Sequence, residues 1–401
     1  MSNPYTNHLL EQARQDILFT AVRPDIVMEK GKGMYLWDTD GKKYLDFIGG
    51  WAVNCLGHSP DAVALALSEQ AARLVNASPT FYNVPMLQLA KLLTDHSCFN
   101  RVFFTSTGAE ANEGAIKLAR KYGAKQLDGA FEIITTNGGF HGRTLATMSA
   151  TGKKHWETLF EPKVPGFIHV PFNDIDVAAA AVNPGTCAIM LEPVQGEGGV
   201  NVAEEAYIKA LRRLCTDKNI LLIFDEVQTG FGRIGKLFAY EHYGIEPDIM
   251  TLAKGIGGGF PLGAMLTKEK FNLFDAGDQG GTYTGQPLAM AVGLAVIKEL
   301  LQKQLPQRAA IMGDYLKERL KELAEDYPIT NIRGIGLLIA FDMAEPIGKD
   351  IVSECLKDGL ILNSPQPSSI RFMPPLIVTK HDIDAMLEIL SGVLRRCPSI
   401  Q

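Results

Sequence analysis

A chain of 401 residues, 46% hydrophobic and 21% charged, is long enough for a sizeable core and for two domains. Its net charge of −6 argues against a nucleic-acid partner. Six scattered cysteines (Cys55, Cys98, Cys187, Cys215, Cys355, Cys397) form no C-x-x-C pair, and the eight histidines form no H-E-x-x-H, which speaks for reduced thiols and against a disulfide framework or a zinc site.

The opening stretch, MSNPYTNHLLEQARQD, lacks the basic-then-apolar order of a signal peptide. No apolar run approaches the roughly 18 residues that span a bilayer. A cytoplasmic protein is therefore expected. Residues 1 to about 55 read as a helix start followed by short strands. MYLWDTDGKKYLDF turns at Asp40-Gly41 between two apolar-bearing arms, which predicts a hairpin. Ser59-Pro60-Asp61 predicts a helix start, with Ser59 as N-cap, proline in the first position and an acid in the first turn. From there to about 305, short apolar runs alternate with helical patterns. The runs are Val102–Phe104, Phe131–Thr135, Cys187–Leu191, Ile220–Phe224 and Ile249–Ala253, while Tyr207, Ile208, Leu211, Leu214 and Cys215 keep a helical period. Such alternation predicts an α/β fold with a mainly parallel sheet covered by helices. A long helical region follows from Pro287 to Leu305 and beyond. From about 328 short strands return, such as Gly336–Phe341, and a helix closes the chain.

Two of the strand runs end in reactive side chains. Ile220–Phe224 is followed by Asp225 and Glu226, and Ile249–Ala253 by Lys254. Ligands of open α/β sheets bind at these carboxyl ends. An acid and a lysine there suit pyridoxal phosphate. The lysine binds its aldehyde, and the carboxylate keeps its ring nitrogen protonated and the ring electron-withdrawing. Each residue alone has a plainer reading: Asp225 capping the next segment, Lys254 as a solvated end-of-strand lysine. Gly255 to Gly259 is not a dinucleotide fingerprint, because Phe260 stands where its last glycine is required.

Further motifs follow other strand ends. Thr105 to Glu113 leads from the run Val102–Phe104 into a helix reaching about Tyr122, whose free N–H groups and dipole suit a phosphate. Gly138 to Thr144 carries Phe140, able to stack on a flat ring, and Arg143, able to clamp a carboxylate with two hydrogen bonds. Leu191 to Gly199 combines glycines with the acids Glu192 and Glu197.

Taken together these stretches strongly resemble the class III (ornithine aminotransferase-like) pyridoxal-phosphate enzymes. The matching residues are Phe224-Asp225-Glu226-Val227-Gln228-Thr229-Gly230, Gly232-Arg233, Pro247-Asp248, Lys254, Gly257-Gly258-Gly259-Phe260-Pro261, Gly280 to Gly285, and Arg371-Phe372-Met373-Pro374-Pro375-Leu376. The resemblance runs from WDTDGKKYLDF to RFMPPL. It implies the pyridoxal-phosphate type I fold, with a seven-stranded sheet in a large cofactor-binding domain over 56–305. A smaller α+β domain would form from 1–55 and 306–401. It implies that Lys254 binds the aldehyde and Asp225 the ring nitrogen. Thr107, Gly108 and Ala109 would cradle the phosphate, Phe140 and Val227 cover the two ring faces, and Gln228 reach the phenolic oxygen. Thr282 would reach the phosphate of a neighbouring subunit, making the enzyme a homodimer with shared sites. Arg143 and Arg371 would be carboxylate clamps, with Glu197 pairing with a substrate-site arginine. The chain departs from the family pattern at Thr284 and Gln286, where glycine and asparagine are usual.

The implied reaction is ping-pong amino transfer from an ω-amino acid to 2-oxoglutarate. Gly50 stands where ornithine aminotransferases carry a tyrosine, and glycine there leaves room for an acyl group, so N2-acetylornithine is the expected donor. Trp51 is bulkier than the usual aliphatic residue. Succinylornithine, ornithine and 4-aminobutyrate remain alternative donors, with an aminomutase or a non-catalytic cofactor-binding dimer as further readings.

Overall fold

The computed structural model describes residues 3–396, so Cys397 lies outside the described residues. At the centre is a seven-stranded sheet in the order 101–105, 263–267, 249–252, 221–225, 186–191, 132–136, 167–170. Six strands run parallel; Gly263–Thr267 runs against both its neighbours. The middle strands Thr186–Leu191, Leu221–Asp225 and Ile249–Leu252 are buried at every position. Their continuous apolar runs are what a sheet covered on both faces requires.

The five expected strands are present, with ends moved by a residue or so. Two further strands complete the sheet. Phe167–Val170 is an edge strand only partly buried, and Gly263–Thr267 opens on a glycine directly after a glycine-rich turn. Neither has a long apolar run, so pairing with a neighbour decided both.

The hairpin forms as read, Tyr35–Asp38 pairing antiparallel with Lys43–Asp46. The next helix spans Asp61–Ala71, but its N-cap is Pro60 with no side-chain cap, not Ser59. Ser59 has φ of +45°, outside the extended conformation an N-cap serine adopts. The long helical region is two helices, Pro287–Gln302 and Leu305–Leu323, broken at Gln304 with φ of +50°. Gly336 lies in a turn between strands Ile329–Ile335 and Leu338–Met343 rather than inside a strand.

Smaller sheets flank the main one. Leu360–Ile361 lies parallel to Lys43–Asp46, so the start and the end of the chain share a four-stranded sheet. Ser369–Phe372 pairs with Leu338–Met343 and carries Arg371. A two-stranded ribbon, Val194–Gln195 with Asn201–Val202, brackets Glu197. No helix among the described residues is long and apolar enough to cross a membrane.

Candidate active site

The carboxyl ends of the central strands open into a cavity of about 500 Å³. That volume suits a small cofactor with part of a substrate. Thr107, Gly108, Ala109, Phe140, Arg143, Asp225, Val227, Gln228 and Lys254 all line it. Segments more than a hundred residues apart converge because each leaves the same sheet edge.

Asp225 is almost fully buried, and every contact it makes is specific. Its Oδ2 accepts from Asn112 Nδ2 at 2.8 Å and lies 2.8 Å from His141 Nδ1. Its Oδ1 accepts from the Val227 N–H at 3.0 Å. The capping role is therefore real and coexists with the place at the cavity. Asn112 is itself fixed, donating to the His141 carbonyl at 2.7 Å and accepting from Thr251 Oγ1 at 2.6 Å. His141 Nε2 is buried with no partner among the described residues.

Lys254 follows its strand with φ of +50°, a left-handed conformation costly for a residue with a Cβ. It lines the cavity and is not a solvated strand end. The protein packed around its amine pushes the pKa below the ordinary lysine value, against the pull of Glu197, Glu192 and Asp225. A lysine biased towards the neutral amine is a better nucleophile and base.

Glu192 was quoted in the sequence without a role. It is buried, accepts from the Phe140 N–H at 2.8 Å, and has its pKa pushed up to about 7 by burial first and by Asp225 next. Asn112 and His141 were likewise inside quoted motifs, in ANE and FHGR, and only folding showed what they touch.

The helix Gly108–Gln126 begins under the cavity. Thr107 and Glu110 form a capping box: Thr107 Oγ1 accepts from Glu110 N at 3.2 Å, and Glu110 Oε2 accepts from the Ser106 and Thr107 N–H groups at 2.8 and 2.9 Å. Thr107 thus directs its own N–H inward to the helix. Among the described residues the Gly108 and Ala109 N–H groups have no such partner and point to a ligand at this helix start.

Arg371 is fully buried on its strand. Its Nη2 donates to Glu197 Oε1 at 2.7 Å and its Nε to Asn363 Oδ1 at 2.9 Å, while Nη1 is buried without a partner among the described residues. The indole of Trp51 lies 5.6 Å from the guanidinium carbon. Glu197 is held below the ordinary carboxylate range: burial raises its pKa, but Arg371 and Lys153 more than offset that. Gly50, Trp51, Glu197 and Arg371 do not line the cavity itself; the charges of Glu197 and Arg371 act on Lys254 from beside it. Thr282 does not line the cavity and lies in an exposed stretch.

The residues fit pyridoxal phosphate. A Cβ at Gly108 would come within 2.9 Å of Val227 Cγ1, so only glycine lets the helix start approach so closely. Gln228, on the cavity wall, has its Oε1 buried and unpartnered among the described residues. A buried carboxylate, an amine and free helix N–H groups complete the donor set.

Comparison with known proteins decides the family. The class-III aminotransferase model matches residues 19–394. The chain belongs to the class-III aminotransferases. It is similar to the acetylornithine aminotransferase of Ralstonia nicotianae, 52% identical over 388 residues, covering 95% of this chain and 97% of that one. The acetylornithine aminotransferase of Methanocaldococcus jannaschii is 48% identical over 375 residues, covering 92% and 94%. Among solved structures, ornithine aminotransferase from Toxoplasma gondii, with pyridoxal phosphate partly occupying its active site, superposes with TM-score 0.93 at 31% identity, covering 97% and 94%. Acetylornithine aminotransferase from Elizabethkingia anophelis gives 0.87 at 31%, covering 99% and 100%. The fold is thus the type I aminotransferase fold the sequence implied, the enzyme is a transaminase, and pyridoxal phosphate is the cofactor its family implies.

Proposed function

We propose that this class-III aminotransferase moves the terminal amino group of N2-acetylornithine to 2-oxoglutarate, giving N-acetylglutamate 5-semialdehyde and glutamate. The carrying observation is the pair that the buried Arg371 makes with the half-buried Glu197 beside Lys254. An amino transfer of this kind must accept a donor with no carboxylate next to the reacting carbon and an acceptor that has one. A buried arginine with a removable carboxylate partner meets both needs. The names of the relatives support the choice of donor.

When bound, pyridoxal phosphate supplies an aldehyde for amines and an electron sink for the adjacent carbanion. Lys254 would hold that aldehyde, and its Nζ is the group that would take and return the proton at the substrate carbon bearing nitrogen. Asp225, oriented by Asn112 and His141, would hold the proton on the ring nitrogen. The Gly108 and Ala109 N–H groups would hold the phosphate at the helix start that Thr107 caps, Gln228 would reach the phenolic oxygen, and Phe140 and Val227 would cover the ring. Arg143 binds the carboxylate far from the reacting carbon in both substrates. Arg371 binds the near carboxylate of 2-oxoglutarate, and Glu197 covers it when the donor is bound.

Thr282 belongs, in this reading, to the site of a second copy. Asn83 Nδ2 donates to the Gly285 carbonyl at 2.8 Å, tying the Thr282 loop to a segment rich in exposed apolar side chains: Leu65, Leu74, Phe81, Tyr82, Val84 and Leu87. A contiguous patch of this kind marks an interface, which supports a homodimer. The division into 56–305 and a unit made of 1–55 with 306–401 is supported by the pairing of Leu360–Ile361 with Lys43–Asp46. Cytoplasmic residence is consistent with the scattered thiols.

The test is a panel of amine donors assayed with 2-oxoglutarate. N2-acetylornithine should exceed ornithine, succinylornithine and 4-aminobutyrate in kcat/KM. Preference for any other member would reject the assignment of the donor.

A further inference from the structure

The loop after helix Leu145–Ala150 carries a lysine that the transamination scheme leaves unused. Lys153 Nζ lies 3.8 Å from Glu197 Oε2, on the side of the carboxylate away from Arg371, whose Nη2 takes Oε1. The lysine side chain is only 18% exposed. Its amine stands 5.1 Å from the Phe140 ring centre and 5.3 Å from that of Trp156. Its backbone is anchored: Gly152 bridges to Asn137, and a Cβ on Gly152 would come within 2.3 Å of the Thr136 carbonyl. The position of the amine is therefore set by the sheet edge and two aromatic faces rather than by solvent.

We propose that Lys153 is the second partner of Glu197, the cation that receives this carboxylate whenever Arg371 binds the near carboxylate of the acceptor. The inference rests on the reading of Arg371 and Glu197 given above. When 2-oxoglutarate takes Arg371, Glu197 loses its 2.7 Å partner inside a mostly enclosed site. A carboxylate left there alone would strongly disfavour the acceptor complex. At 3.8 Å Lys153 is too far for a strong hydrogen bond now but within reach of a carboxylate rotation. Arg371 meanwhile stays in place through Asn363. Glu197 so has two resting positions, one on each cation, and the acceptor shifts it from the first to the second. Lys153 is a positioning residue: it acts on the substrate only through Glu197. Burial, with Arg143 and Arg371 nearby, holds its pKa below the ordinary lysine value, and Glu197 and Glu192 pull against that shift.

The test separates the two half-reactions by single-turnover kinetics in the holoenzyme. Lys153→Met should slow the 2-oxoglutarate half-reaction, as k/K, by about ten- to a hundredfold, the range spanned by one charged hydrogen bond. The N2-acetylornithine half-reaction should stay within about twofold, since there Glu197 rests on Arg371. Binding of glutarate, an unreactive dicarboxylate of the same length, should weaken by the same factor in calorimetry. Lys153→Arg should restore both. In a Glu197→Ala background, Lys153→Met should add nothing. Equal losses in both half-reactions, or a loss persisting without Glu197, would overturn the proposal, the first by showing a structural role and the second a direct contact with substrate. Glu197→Ala alone reports on the underlying reading. An unchanged preference between N2-acetylornithine and glutamate defeats both; a shifted preference with Lys153→Met silent defeats the Lys153 inference only.

Discussion

Asp225 shows how much a single side chain is specified by its neighbours. Both its oxygens are committed, to Val227 N–H on one side and to Asn112 and His141 on the other. A carboxylate so fixed raises the pKa of a ring nitrogen beside it, and each unit corresponds to about 1.4 kcal/mol. Asp225→Asn should lower kcat by roughly a hundredfold or more, an expected loss of two such units, while KM changes little. A kcat within a few-fold of wild type would remove Asp225 from this role. Glu192 sets a pH dependence. Its folded pKa of about 7 lies above its ordinary value of 4.5. Between the two, the folded protein holds a proton that the unfolded chain lacks, so stability from this group is present at low pH and is lost as pH rises towards and through 7. Glu192→Gln should therefore gain stability relative to wild type as pH climbs from about 5 to 8, by up to roughly 3 kcal/mol. Thermal midpoints of the two apoproteins across that range check it; a constant difference would refute it. The residues Asp225 and Lys254 were legible because motif and strand end coincided. Asn112, His141 and Glu192 were not, because nothing in a polar residue's own sequence says whether it will face a carboxylate or water.

At the scale of elements, the site depends on how strands hand over to loops. The strand Leu221–Asp225 continues into Glu226, whose carboxylate accepts the N–H groups of Ala239 and Tyr240 and so ties the strand end to the short 3-10 turn Ala239–His242. Both donors are deeply buried and have no water to replace it. Glu226→Ala should lose roughly 1–3 kcal/mol for each orphaned N–H. It should also loosen the turn that holds Val227 and Gln228 at the cavity. Denaturation midpoints with and without pyridoxal phosphate would show this, the first as a lower intrinsic stability and the second as weaker cofactor stabilisation. An unaltered midpoint would mean that water or a shifted backbone satisfies both groups. The helix Gly108–Gln126 makes the complementary point. A helix following a strand reads as a phosphate site, but the capping box withdraws the Thr107 N–H and leaves those of Gly108 and Ala109 at the helix start. Two sheet strands escaped the sequence reading for the same reason that a helix N-cap did: short segments take their conformation from partners, not from their own periodicity.

At the scale of the whole molecule, the proposed shared site makes a prediction about assembly. If Thr282 completes the phosphate site of a second copy, mixing Lys254→Ala chains with Thr282→Ala chains should yield heterodimers in which one site carries both lesions and the other neither. Activity should then return to about a quarter of the wild-type level for random pairing, half of the dimers being mixed with one intact site each. No recovery, with heterodimers confirmed by mass, would reject the shared site. The exposed apolar segment beside the Thr282 loop also predicts that the protein sediments as a dimer, and that a charge at Tyr82 or Leu87 weakens it.

By itself the sequence determined the fold class, five of the seven central strands, and several of the residues that line the cavity, Asp225 and Lys254 among them. These follow from local information: apolar runs of strand length, alternating with helical periods, and reactive side chains placed just past strand ends. Only the tertiary structure decided which side chains meet. That Glu197 lies between Arg371 and Lys153, that Asn112 and His141 hold Asp225, and that Trp51 faces a guanidinium all join residues far apart in the chain. Hydrogen bonds and ion pairs act over a few ångströms, and distance along a chain of this length carries almost no information on that scale until the sheet has brought its edges together.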